Sequence, residues 1–153
     1  MCVWDNHVDV MKAKAIAKKY YDKKTFAHAE RVSQYVAENY FIPVMFQPVC
    51  VCLAWMHDLL EDTEYANDPK FELRAADPYL QEMFDVALQH LTKPKKMDYI
   101  SYIQRFHDKK IQPATRYVAW CVKLADMKDH LSETDTLTDK LKDKYLKALP
   151  YLL

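Results

Sequence analysis

The sequence predicts an all-α, single-domain bundle of about six to eight helices. Three observations carry that expectation. The 153 residues include no glycine, the residue that hairpin turns and bulges ordinarily need for positive φ. Apolar residues recur at helical spacing between prolines and Asp/Thr/Asn clusters. Half of the chain is apolar and 13% is aromatic, enough to close one packed core at this length.

The elements follow in order. A first helix is expected from about Asp5, as N-cap, to Tyr21, with Val8, Met11, Ala15 and Lys19 along one face. A second starts near Thr25, turns His28, Val32 and Val36 to one side, and stops before Pro43. Pro48 suits the first turn of a third helix, Val49 to about Asp62. Its first eight residues are apolar all round, which marks a central helix. It then becomes abruptly acidic, and carboxylates at a helix C-terminus oppose the macrodipole and need compensation. Thr63 to Pro69 reads as a loop. Pro78 opens a helix to Leu91 with Leu80, Met83, Phe84, Ala87, Leu88 and Leu91 facing inward. Asp98 caps a short helix through Phe106, Pro113 starts one reaching about Leu131, and a last runs from Thr138 to Leu153 with Pro150 disturbing its end.

Composition also excludes functions. Without glycine there is no Walker or dinucleotide-binding loop, so any bound phosphate must meet side chains, a metal or helix N-termini. Acidic and basic residues balance at 22 each, which predicts neither a nucleic-acid nor a membrane partner. Lysines cluster at Lys18-Lys19, Lys23-Lys24 and Lys93-Lys95-Lys96. Such runs are ordinarily solvated surface, yet a phosphate substrate could use one. Cys2, Cys50, Cys52 and Cys121 show neither metal spacing nor a disulfide framework, so the last three read as small core residues in a reducing compartment. Met1 to Asp9 carries charges, and the longest apolar run, Val49 to Met56, is too short to span a bilayer. A soluble cytoplasmic protein is expected, with a homo-oligomer left open by the aromatic content.

The chemistry-bearing residues converge by helical spacing. His57 and Glu61 lie four apart, as do Asp58 and Asp62. His28 shares the inward stripe of the second helix. Asp126 interrupts the apolar run Val122, Leu124, Ala125, with Lys123 and His130 flanking it at i−3 and i+4. Two histidines and two aspartates form a mixed N/O set suited to a divalent ion with positions left for water and substrate. A plainer reading stays open: His28 as a hydrogen-bonded interior histidine, Asp126 paired with Lys123 or Lys128, and His130 as a partner of the helix dipole.

The order His28, His57-Asp58, Asp126 resembles the HD superfamily of metal-dependent phosphohydrolases. Ala54 to Tyr65, AWMHDLLEDTEY, is similar to the HDxxED segment of RelA/SpoT-type (p)ppGpp hydrolase domains, and Val122 to Leu131, VKLADMKDHL, to their KLAD helix. Leu91 to Lys93 and Lys144 to Leu152 are weaker likenesses. The resemblance implies a helical HD-type domain over residues 1–153 and one divalent ion on His28, His57, Asp58 and Asp126. Mn²⁺ is favoured, with Fe²⁺, Zn²⁺, Mg²⁺ and Co²⁺ as alternatives. It implies Glu61 and Asp62 as catalytic, Lys123 beside the metal-bearing helix and Tyr145 near the nucleotide. Lys24, Lys123, His130 and Tyr145 are the expected substrate-binding residues, with Lys24, Lys93 or Lys123 to neutralise phosphate charge. The implied activity is hydrolysis of a nucleotide phosphate or pyrophosphate ester, with the 3′-pyrophosphate of (p)ppGpp favoured. The alternatives are an HD nucleotidase or phosphodiesterase on another nucleotide, and a non-catalytic nucleotide-sensing module. The chain departs from the family pattern in two places. Lys23 to His28 replaces a glycine-containing basic loop and its proline-rich context, and His130 stands where the family carries asparagine. The synthetase domain of long family members is not expected.

Overall fold

The computed structural model describes residues 3–63, 71–74 and 77–153, without the Asp62 side chain. Among these residues the fold is all-helical: eight α-helices, two 3₁₀ turns and no strand. The helices are α1 Val8–Tyr20, α2 Lys23–Ala37, α3 Gln47–Met56, α4 Leu59–Asp62, α5 Pro78–Leu91, α6 Tyr99–Gln104, α7 Pro113–Ser132 and α8 Asp139–Leu152. The expected loop after Thr63 lies outside the described residues. No described helix is long and apolar enough to cross a membrane.

Helix α3 is the central element. Every residue from Val49 to Met56 is at most 3% exposed, and α1, α2, α5 and α7 all pack against it. Full burial of one large aliphatic side chain such as Leu53 stabilises by about 1.5–3 kcal/mol, so this octapeptide anchors the domain. Cys50, Cys52 and Cys121 are free thiols within that core. Burial pushes the Cys52 thiol well above its usual range and the Cys121 thiol up to about 11, so both stay protonated and apolar.

Helix α1 turns a different face inward from the one expected. Val10, Ala13 and Ala17 are buried, while Val8 is 39% and Met11 54% exposed. The small alanine side chains of the observed face let α1 approach α3 closely. His7, rather than Asp5, caps it, its Nδ1 accepting from the Asp9 N–H at 3.2 Å. Asp22 caps α2 through Oδ1 and the Thr25 N–H at 2.7 Å, and His28, Val32 and Val36 face inward as the spacing predicts.

The third helix does not run unbroken to Asp62. It ends at Met56, and His57-Asp58 form a turn before the single-turn α4. Asp58 sits near the bridge region, φ −97° and ψ −2°, and its N–H donates to the Tyr21 hydroxyl at 3.2 Å. No proline or glycine marks this break. At the other end of the chain Pro150 lies in the last turn of α8, which nevertheless continues to Leu152. The Leu152 carbonyl at the helix end accepts from Trp120 Nε1 at 2.7 Å and His107 Nε2 at 2.8 Å.

Candidate metal centre

Three elements meet where α2, the α3–α4 turn and α7 touch. Helix α2 delivers His28, the turn delivers His57 and Asp58, and α7 delivers Asp126 with Asp129 and His130 on its next turn. One ligand atom each from His28, His57, Asp58 and Asp126 lie within 4.8 Å of one another. An ion with bonds of about 2.0–2.2 Å requires such a cluster, since opposite ligands are then about 4 Å apart. His28, His57 and Asp126 are buried and Asp58 is half-buried.

Hydrogen bonding fixes which nitrogens face this point. His57 Nδ1 lies 2.7 Å from the Ala54 carbonyl oxygen, which only accepts, so Nδ1 carries the hydrogen. In a neutral ring, His57 Nε2 then aims a lone pair at Asp126 Oδ1, 3.1 Å, and Asp58 Oδ2, 3.2 Å. His28 Nδ1 meets Asp129 Oδ2 at 2.6 Å, while its Nε2 faces Asp126 Oδ1 at 2.8 Å and Asp58 Oδ2 at 3.8 Å. Lone pairs opposed in this way require a positive charge between them, from a proton on each ring or from a cation. The donor set could hold a divalent ion.

The electrostatics agree with that geometry. Burial disfavours a charged His57, but Asp58 and Asp126 outweigh it and hold its pKa well above the imidazole range. His28 is raised in the same way, against its burial, chiefly by Asp126. Burial also opposes ionised Asp126, and Lys123 and His57 overcome it, so this carboxyl stays well below the usual range. Lys123 is itself buried, with Nζ 2.6 Å from Asp126 Oδ2 and lying over the rings of Tyr99 and Tyr102. Asp126 therefore presents one oxygen to Lys123 and the other to three imidazoles, the third being His130 Nε2 at 3.2 Å.

A cavity of about 310 Å³ opens beside Asp58 and Asp126. Glu61, Lys93, Lys144, Tyr99, Tyr145 and His130 contribute to its walls. Glu61 is exposed on α4 and accepts from the Lys93 N–H. The His130 ring stacks between His28, at 4.4 Å, and Tyr145, at 4.9 Å. Lys144 Nζ lies 4.3 Å from the Tyr99 ring centre.

The structure brings together eight of the ten residues singled out in the sequence. His28, His57, Asp58 and Asp126 converge, and Glu61, Lys123, His130 and Tyr145 border the same cavity. Lys24 is exposed in the first turn of α2 and is not among the residues lining the cavity. The Asp62 side chain lies outside the described residues. Asp129, Arg31 and Lys144 were not anticipated. Asp129 is 1% exposed and accepts from Arg31 Nε at 2.7 Å and Nη2 at 3.0 Å. Its signal in the sequence was faint: a carboxylate three residues after Asp126, on the same face as His28's partner. No family model, curated protein or solved structure matches this chain.

Proposed function

We propose that the protein is a divalent-metal-dependent phosphohydrolase acting on a nucleotide phosphate or pyrophosphate ester, with the 3′-pyrophosphate of (p)ppGpp as the favoured substrate. One observation carries this reading: four ligand atoms on three elements lie within 4.8 Å of one another beside an open cavity. Both imidazoles turn Nε2 inward because their Nδ1 atoms are occupied outside. Mn²⁺ is favoured by the resemblance, and the N/O donor set accepts Fe²⁺, Zn²⁺, Mg²⁺ or Co²⁺ as well.

Bound at His28, His57, Asp58 and Asp126, the ion would supply Lewis acidity toward a phosphoryl oxygen and bring the pKa of water toward ~7. The chain's own residues account for the rest. Glu61, exposed at the cavity, orients the attacking water and takes its proton. Asp62 follows it as the second acidic residue of the resemblance. Lys93 and Lys144 meet the negative charge of the phosphate. Lys123 acts on Asp126, holding one carboxylate oxygen so that the other faces the imidazoles. Tyr145 and His130 form a stacked wall against which a base or ribose can lie.

The test is phosphate release from a panel of nucleotides, guanosine tetraphosphate included, with Mn²⁺. Asp58→Ala and Glu61→Ala should each lower turnover by at least ~100-fold. Only Asp58→Ala should also release the metal. Wild-type protein that holds no ion under any supplementation overturns the proposal. Saturable nucleotide binding without product would assign the cavity to sensing instead.

A further inference from the structure

The buried acid Asp129 lies outside the four-residue cluster, and the proposed chemistry does not use it. It sits on α7 one turn beyond Asp126, 1% exposed, and its carboxylate meets His28 and Arg31 of α2. Arg31 grips it from the surface side, Nε on Oδ1 at 2.7 Å and Nη2 on Oδ2 at 3.0 Å. On the inner side His28 Nδ1 approaches Oδ2 at 2.6 Å. Arg31 extends outward to Glu133 at 3.3 Å. A carboxylate already receiving two guanidinium donors can offer the imidazole only an acceptor. His28 Nδ1 must therefore bear the hydrogen, so in the neutral, metal-binding form of the ring it is Nε2 that offers a lone pair toward Asp126 and Asp58.

We infer that Asp129, oriented by Arg31, is a positioning residue that fixes the ring orientation and tautomer of His28 for metal binding. This rests on the proposed metal centre and adds a residue to it. The alternative tautomer would present an Nε2–H, which cannot ligate. Rotation of the ring about its Cβ–Cγ bond would break the 2.6 Å contact. His57 reaches the same end by another device, its Nδ1 being held by the Ala54 carbonyl in the last turn of α3. The two imidazoles are thus set by unequal partners, one a backbone oxygen that mutation cannot remove and the other a side chain that it can. Outer partners of this kind typically change metal affinity by about 10–100-fold when removed. Arg31 makes a smaller contribution, because Asp129 can still accept from His28 without it.

The experiment measures the Mn²⁺ dissociation constant by competition with a fluorescent chelator. It compares wild type with Asp129→Ala, Asp129→Asn and Arg31→Met. In parallel, ¹⁵N NMR of the Zn²⁺-loaded wild type identifies the protonated nitrogen of His28. Affinity should fall about 10–100-fold in Asp129→Ala, less in Arg31→Met, and the NMR should place the hydrogen on Nδ1. Asp129→Asn keeps the shape of the site and serves if the alanine variant does not fold; its amide can donate to Nδ1 instead of accepting, so it too should weaken Mn²⁺. Wild-type affinity in Asp129→Asn, or a hydrogen on Nε2 of His28 in the wild type, overturns the inference. Wild type that binds no Mn²⁺ overturns the proposed function itself. Binding in wild type with unchanged binding in the Asp129 variants overturns this inference alone.

Discussion

Replacing Asp126 with alanine tests how Lys123 is used. Lys123 is 7% exposed and its ammonium lies 2.6 Å from Asp126 Oδ2. Two aromatic rings cover it, Tyr102 at 5.1 Å and Tyr99 at 5.6 Å. Removing the carboxylate leaves a buried cation without its counter-charge, and breaking such a pair costs about 3–5 kcal/mol. For a domain of this size each kcal/mol lowers Tm by about 2–4 °C, so the metal-free variant should melt about 6–20 °C below wild type. Lys123→Met should cost less, because Asp126 keeps three imidazoles within 3.2 Å. In the double variant neither charge is left alone. Its destabilisation should therefore fall short of the sum by at least ~1 kcal/mol. Urea denaturation with a chelator present measures all four proteins. Effects that add within ~0.5 kcal/mol would refute the pairing and return Lys123 to the substrate side of the cavity.

Stability should respond to pH with opposite signs with and without metal. In metal-free protein the raised His57 contributes stability below the ordinary imidazole value of 6.5, and that contribution is lost as pH rises through its folded value. With Mn²⁺ bound the ring must be unprotonated, so stability should instead fall as pH drops below about 6.5. Melting curves from pH 5.5 to 8.5 with chelator and with Mn²⁺ check this, and parallel slopes would count against a metal on His57. Lys144→Ala should raise KM for the phosphorylated substrate about 10–100-fold, the range for losing a charged hydrogen bond, while Mn²⁺ affinity stays at the wild-type value. Steady-state kinetics together with metal titration read both.

Much of this architecture was legible in the residue order. Pro48, Pro78 and Pro113 marked helix starts, and the unbroken apolar run Val49 to Met56 identified the central helix. His28 and Asp126 stood out because each placed a polar side chain in an otherwise apolar stripe. What escaped has physical reasons. Alanine contributes little to a hydrophobic pattern, so the Val10, Ala13, Ala17 face of α1 was hidden behind the larger Val8 and Met11. No local proline or glycine signals the break at His57-Asp58, where the Asp58 N–H finds its partner in Tyr21, 37 residues away. Asp129 lies between Lys128 and His130 and reads as part of a solvated face until α2 is packed against it. Lys144 is one of several lysines on α8, and only the packing that brings it to Tyr99 and the cavity separates it from the rest. Lys24 belongs to a lysine pair that could have met a phosphate, whereas the turn it occupies faces solvent.

The separation of His28 from Asp126, 98 residues, has a consequence for a chain emerging from a ribosome. At a synthesis rate of about 5–20 residues per second, His28 waits roughly 5–20 s for its acidic partner. During that interval α2 and α3 can already dock, with both imidazoles made and neither Asp126 nor Asp129 yet present. Closure of the centre therefore cannot precede synthesis of α7, and a nascent polypeptide still lacking that helix would present the histidines without its carboxylates.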